Sequence, residues 1–144
     1  MKFVFFFPLT NENNRHKVSP PLSVLAVAAP LLAAGIEVEV VDARVEPDYL
    51  SLVLNKMADA DLLGVSSMTG YQIADGLKVS AAVKEKYPGK MVVWGGYHPS
   101  LLADQTVRDP NIDIVVRGQG EVTGLELARH LAGELALEDI DGLT

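Results

Sequence analysis

The sequence predicts an α/β domain of three layers, a five-stranded parallel sheet in the order 2-1-3-4-5 with helices on both faces. Three observations predict it. Five short apolar runs alternate with helical periods along the 144 residues, the pattern of successive βα units. Most of these runs are uninterrupted, as in strands covered on both sides. The second run instead alternates Glu37 and Glu39 with valines, which suits a sheet edge. Right-handed crossovers then leave the flavodoxin-like, Rossmann-like order as the simplest topology.

Each element has a local reason. Residues 3–7 are Phe-Val-Phe-Phe-Phe followed by turn formers, a buried first strand. Pro20 and Pro21 open a helix that runs to about Ala34 and stops at Gly35, with Pro30 as a kink or last turn. Its apolar length reads as a buried helix. Residues 36–41 form the alternating second strand, and residues 48–57 a second helix. Residues 62–66 are a third strand. Ile73, Leu77 and Ala81 recur every four residues in a helix over 71–86, ended by Pro88-Gly89. Residues 91–94 are the fourth strand, and a short helix follows Pro99. Residues 114–116 are the fifth strand, and Leu125, Ala128, Leu131 and Leu135 mark the last helix.

Composition excludes several functions. Twelve Lys+Arg against 19 Asp+Glu give a net charge of −7 without a basic block, the wrong sign for tracking nucleic-acid phosphates. The chain has no cysteine, so it holds no disulfide, thiolate zinc site, cysteine nucleophile or cysteine-ligated cluster. The run after Lys2 lacks a cleavage site, and residues 22–34 fall short of the ~20 needed to span a bilayer. A cytoplasmic protein without nucleic-acid or membrane partners is expected.

In such sheets ligands bind beyond the carboxyl ends of the strands. There the third strand ends in Ser66, Ser67, Met68, Thr69 and Gly70, and the fourth in Gly95, Gly96, Tyr97 and His98. The fifth ends in Arg117, Gly118, Gln119, Gly120, Glu121 and Thr123. Glycines let a ligand approach the backbone, and hydroxyls can hydrogen-bond it. Residues 118–123 approximate G-x-G-x-x-G, but on the last strand and with Thr123 for the third glycine, so a nicotinamide site is not expected. P-loop, receiver-domain and simple flavodoxin patterns fail as well. A small nucleotide such as FMN is the alternative ligand.

The ordered series Pro20-Pro21-Leu22, Val40-Val41-Asp42, Gly64-Val65-Ser66-Ser67-Met68-Thr69, Gly95-Gly96-Tyr97-His98-Pro99 and Arg117-Gly118-Gln119-Gly120-Glu121 covers nearly the whole chain. It resembles the amino-terminal cobalamin (vitamin B12)-binding domain of cobalamin-dependent radical SAM enzymes, with Gln119 where the family usually has Glu. The resemblance implies a corrin over the carboxyl ends of the strands. Its dimethylbenzimidazole tail would run beside the sheet between strands 3 and 4, near Ser66, Gly95 and Gly96, with residues 118–123 along the polar edge. It also implies a partner radical SAM domain in cis, carrying a [4Fe–4S] cluster and S-adenosylmethionine. This chain cannot ligate that cluster. Residues 1–138 are then the cobalamin-binding domain and 139–144 the start of a linker. An excised, non-catalytic domain is expected, with a stand-alone corrinoid carrier as the alternative.

Cobalamin domains of the methionine-synthase type use D-x-H-x-x-G after strand 1 to ligate cobalt. Only His16 of the segment Asn14-Arg15-His16-Lys17-Val18-Ser19 matches, and no Asp stands two residues before it, so His16 reads as a solvated loop histidine. The benzimidazole is therefore expected to be displaced from cobalt with no imidazole replacing it. His98 stands at the rim of the expected site, as a hydrogen-bond partner of a corrin amide or as plain loop chemistry, and Tyr71 and Tyr97 are placed to cover the corrin or to seal the loop. Trp94 reads as core and His130 as exposed. Arg117 and Glu121 read as an ion pair or as contacts to tail amides, without an acid–base arrangement.

Overall fold

The computed structural model describes residues 1–11 and 18–144. Its elements follow the chain as β1 (Lys2–Phe7), α1 (Leu22–Ala33), β2 (Glu37–Asp42), α2 (Tyr49–Lys56), β3 (Leu62–Ser66) and α3 (Tyr71–Lys86). Then come β4 (Met91–Gly95), two short helices α4 (Tyr97–Leu101) and α5 (Ala103–Thr106), β5 (Ile114–Val115) and α6 (Glu121–Leu131). The sheet has the order β2-β1-β3-β4-β5, and every pair is parallel. This is the topology read from the sequence, with the Glu37 strand at the edge. Lys2 rationalises the polar edge: its ammonium reaches Glu39 at 2.7 Å, Asp59 at 3.1 Å and Glu37 at 3.3 Å. Hydrogen bonding to Asp59 holds that ammonium above its ordinary pKa.

Alternation along the strands sorts the core into two halves. On one face Val4, Phe6, Leu63, Val65, Val92 and Trp94 meet Val53 of α2 and Val79 and Val83 of α3. On the other, Phe3, Leu62, Val93 and Ile114 meet Leu31 of α1 and Leu127 of α6. Trp94 is wholly buried, as expected, and its indole N–H donates to Ser80 Oγ on α3 at 3.0 Å.

Several expectations need correction. The helix near Pro99 starts at Tyr97 rather than after the proline, which falls in the first turn where a missing N–H costs no helical bond. The last helix spans Glu121–Leu131 instead of reaching Leu135, because Gly133 turns the chain at φ +77°. Helix α1 is not buried all round. Val24, Ala28 and Leu31 face the sheet, while Leu22, Leu25 and Leu32 are exposed, since a helix lying on a sheet covers it with one side only. Strand β5 is also shorter than expected. Val116 forms an antiparallel bridge with Leu143, and Val115 and Thr144 exchange two backbone hydrogen bonds at 2.7 and 2.9 Å. Residues 142–144 run along the outer edge of β5, and Ile140 just before them is buried. An otherwise open sheet edge is covered in this way. Among the described residues no helix is long and apolar enough to cross a membrane.

Trp94 is the single tryptophan, so its fluorescence reports directly on this core. Ser80→Ala leaves the buried indole N–H without its acceptor and is expected to lower the unfolding free energy by ~1–3 kcal/mol in urea titrations followed by Trp94 emission. An unchanged midpoint and slope would contradict the role given to this bond.

Candidate functional site

Helices α1 and α6 pack on each other over the sheet face formed by β1, β3 and β4. Glycines set their distance: a side chain on Gly120 or Gly124 would come within 3.2 or 3.3 Å of Val27 of α1. Beneath this roof lies a slot of about 250 Å³ that opens at the carboxyl ends of β3, β4 and β5. Its mouth carries Ser23, Ser66, Gly95, Gly96 and residues 118–121. Deeper in, it is lined by Phe3, Phe5, Leu62, Gly64, Val93 and Leu127. Ser23 and Ser66 share a hydroxyl hydrogen bond of 3.0 Å across the mouth.

The adjacent glycines at and just after the end of β4 differ physically. Gly95 pairs in register with Ser66, and a Cβ built on it meets nothing nearer than 3.8 Å. Glycine there leaves open space that belongs to the slot. Gly96 has φ +99°, and a Cβ on it would lie 2.9 Å from the carbonyl oxygen of Ser67. Glycine there permits a left-handed backbone and a close crossing of two chains. Ser67 N–H donates to the Gly95 carbonyl at 2.9 Å, and His98 N–H donates to the Ser67 carbonyl at 3.1 Å.

The structure therefore divides the residues singled out in the sequence. Ser66, Gly95, Gly96, Gly118, Gln119, Gly120 and Glu121 line the slot. Met68, Thr69, Gly70 and Tyr97 are exposed on the same edge without lining it. Ser67 and Thr123 are buried. His98 is also buried, not at the rim, with Nδ1 3.3 Å from Thr69 Oγ1. Arg117 and Glu121 form no ion pair among the described residues. The Arg117 guanidinium donates to the Leu143 carbonyl at 3.3 Å, drawn away by the returning tail. His130 is only half exposed, with Nδ1 2.9 Å from the Leu135 carbonyl. His16 lies outside the described residues.

Sequence reasoning missed several buried polar anchors that do not line the slot. Asp75 on α3 accepts from Leu9 N–H at 2.9 Å and from the Tyr49 hydroxyl at 2.6 Å. Asp42 pairs bidentately with Arg44 at 2.9 and 2.6 Å, and Arg44 also donates to the Ser19 carbonyl at 2.9 Å. Gln72 bridges Met68 N–H and the Pro8 carbonyl. These groups hold residues 8, 9 and 19, which bracket the connection between β1 and α1. A slot glycine was missed too, Gly64, although glycine inside a buried strand is a recognised sign of close approach.

Residues 13–128 match the sequence profile of the B12 binding domain. The chain belongs to that family. This B12-binding domain is 30% identical over 128 residues to the anaerobic magnesium-protoporphyrin IX monomethyl ester cyclase of Synechocystis sp., covering 86% of this chain and 26% of the cyclase. Its fold matches that of OxsB, a cobalamin-dependent S-adenosylmethionine radical enzyme solved with aqua-cobalamin and S-adenosylmethionine, at a TM-score of 0.84, with 20% identity over 99% of this chain and 20% of OxsB. TsrM of Kitasatospora setae, a radical S-adenosylmethionine methyltransferase solved with cobalamin and a [4Fe-4S] cluster, matches at 0.81, with 23% identity over 99% of this chain and 26% of TsrM. The B12-binding domain thus spans about a quarter of the length of these relatives.

A cobalamin tail fits the slot on chemical grounds. An engineered apolar cavity of ~150 Å³ takes up benzene, so the larger space here admits a two-ring base, and the open position over Gly95 offers it passage. The two glycines should respond differently in the ligand-free domain. Gly96→Ala is expected to lose ~1–3 kcal/mol of stability through backbone strain and its clash with Ser67, whereas Gly95→Ala should unfold within ~0.5 kcal/mol of wild type, as at unconstrained surface sites. Equal losses in thermal or urea unfolding would contradict this division.

Proposed function

We propose that this domain holds a corrinoid over the carboxyl ends of β3, β4 and β5 with its nucleotide tail in the slot and its lower base off cobalt. It would serve a radical SAM domain of the same polypeptide, in a cytoplasmic methyltransferase or cyclase without nucleic-acid partners. The observation that carries this reading is the open position over Gly95, next to Ser66, at the entrance of an apolar slot in a B12-binding domain.

The residues divide the work by position. Ser23 and Ser66 can turn their hydroxyls from each other to polar atoms of the tail. Backbone and side-chain groups of residues 118–121, at the amino end of α6, would meet the polar stem of the tail. Met68, Tyr71 and Tyr97 present exposed apolar surface around the mouth, suited to lying under or beside the corrin. The anchors at Asp75 and Arg44 would fix Leu9 and Ser19, the described ends of the connection between β1 and α1. When bound, the corrinoid supplies a redox-active cobalt centre. The domain contributes orientation and shielding from water. The cysteine-ligated cluster and S-adenosylmethionine would belong to the partner domain, because this chain has no cysteine.

The test is retention of hydroxocobalamin after mixing and desalting, read by visible absorbance, with FMN as the competing candidate. Wild type and His16→Ala should retain cobalamin and release FMN. Gly95→Val should keep its fold but bind about 5- to 150-fold more weakly, since overpacking a fitted space costs ~1–3 kcal/mol at ~1.4 kcal/mol per tenfold. The bound cob(II)alamin should show no axial nitrogen splitting in its paramagnetic resonance spectrum. Full retention by Gly95→Val, or a nitrogen splitting that disappears in His16→Ala, would overturn the assignment.

A further inference from the structure

The two ends of the slot differ in chemistry. Among the described residues polar side chains stand only at its mouth, where Ser23, Ser66, Gln119 and Glu121 lie. The floor is made by Phe3, Phe5, Leu62, Gly64, Val93 and Leu127, none of which has a polar side-chain atom. Backbone groups offer no substitute. Strands β1, β3 and β4 each have a paired neighbour on both sides, so their peptide groups are committed to the sheet ladders. Leu127 lies inside α6, where the backbone bonds to its own helix. The floor also has a defined wall. The Phe5 ring lies across Gly64, so close that a Cβ on Gly64 would be 2.4 Å from two ring carbons, and it meets Phe3 edge-on with centroids 6.5 Å apart.

We infer that the slot selects among corrinoids by the lower base, accepting an apolar aromatic base such as dimethylbenzimidazole or a phenol and discriminating against adenine. This deepens the reading above and rests on entry of the tail into the slot. Dimethylbenzimidazole presents two methyl groups and, once off cobalt, one free ring nitrogen. A phenolic base presents no ring nitrogen. Adenine presents an exocyclic amine and additional ring nitrogens, all hydrogen-bonded in water and without partners on this floor. Leaving one such group unpartnered weakens binding by about 5- to 150-fold. The corrin and the nucleotide loop are shared by all three ligands, and displacing the base from cobalt costs most for dimethylbenzimidazole and so opposes this order, which leaves contacts with the floor to impose it.

The experiment is an equilibrium titration of the chain with aqua forms of cobalamin, cresolylcobamide and adenylcobamide, and with cobinamide, which lacks the base. Cobalamin and cresolylcobamide should bind well above cobinamide, and adenylcobamide about 5- to 150-fold more weakly than cobalamin. Val93→Thr adds a hydroxyl to the floor and should narrow the gap between cobalamin and adenylcobamide at least fivefold, with its fold checked by Trp94 fluorescence. The wild-type series decides alone if that variant does not fold. Adenylcobamide within twofold of cobalamin, with cobinamide far weaker, would overturn the selectivity while leaving the tail in the slot. An unchanged gap in folded Val93→Thr would overturn its polar origin. Cobinamide binding as tightly as cobalamin would overturn tail entry itself, and the selectivity with it.

Discussion

The carboxyl edge of this domain depends on one close backbone crossing, just past the last paired residues of β3 and β4. Ser66 and Gly95 are the final register pair. One residue later, Ser67 bonds to both the Gly95 carbonyl and the His98 N–H, and Gly96 passes where no side chain fits. This crossing sets where α3 and α4 begin. It exposes Tyr97, buries His98, and leaves Gly95 beside free space. A void in a protein interior normally collapses or is filled. Here it persists because the strands below it are locked in ladders and the helices above it rest on each other.

That second constraint is also built from small residues. Gly120 and Gly124 let α6 approach Val27 of α1, and the two helices form a roof that does not descend onto Gly64 or Gly95. The nearby connection between β1 and α1 is held at its described ends by buried acids. Asp75 and Asp42 are each satisfied by two or more donors, and among the described residues no buried side-chain nitrogen or oxygen lacks a partner. Such groups favour one arrangement of the chain, because removing either partner strands a buried polar atom.

Much of this was legible in the sequence. Apolar runs gave the strands, the Glu37 and Glu39 alternation gave the edge, and right-handed crossovers gave the order. Glycines, hydroxyls and their polar neighbours marked the ligand edge and every residue of the slot's mouth except Ser23. The floor was not legible, since Phe3, Phe5, Leu62 and Val93 read as ordinary core, and only the distance between helices and sheet makes them a lining. The anchors were hidden for a different reason. Asp75 meets Leu9 and Tyr49 across 66 and 26 residues, and no local pattern encodes such pairs. His98 read as a rim residue because Gly-Gly-Tyr precedes it, yet the backbone crossing turns it inward. The pairing of residues 142–144 with β5 was not legible either, because the isolated apolar residues Ile140 and Leu143 set no strand pattern.

The central claim is that the corrin lies over the carboxyl ends of the strands and sends its tail onto one particular face of the sheet, under α1 and α6. Hydrogen exchange by mass spectrometry, with and without hydroxocobalamin, tests it most directly. Binding should slow exchange in α1, in residues 66–70 and 95–98, and in residues 116–126, while leaving α2 and the middle of α3 unchanged, because ordering by a ligand suppresses local opening where it docks. Protection concentrated in α2 and α3, with none in α1 or α6, would place the cofactor on the opposite face and contradict the account.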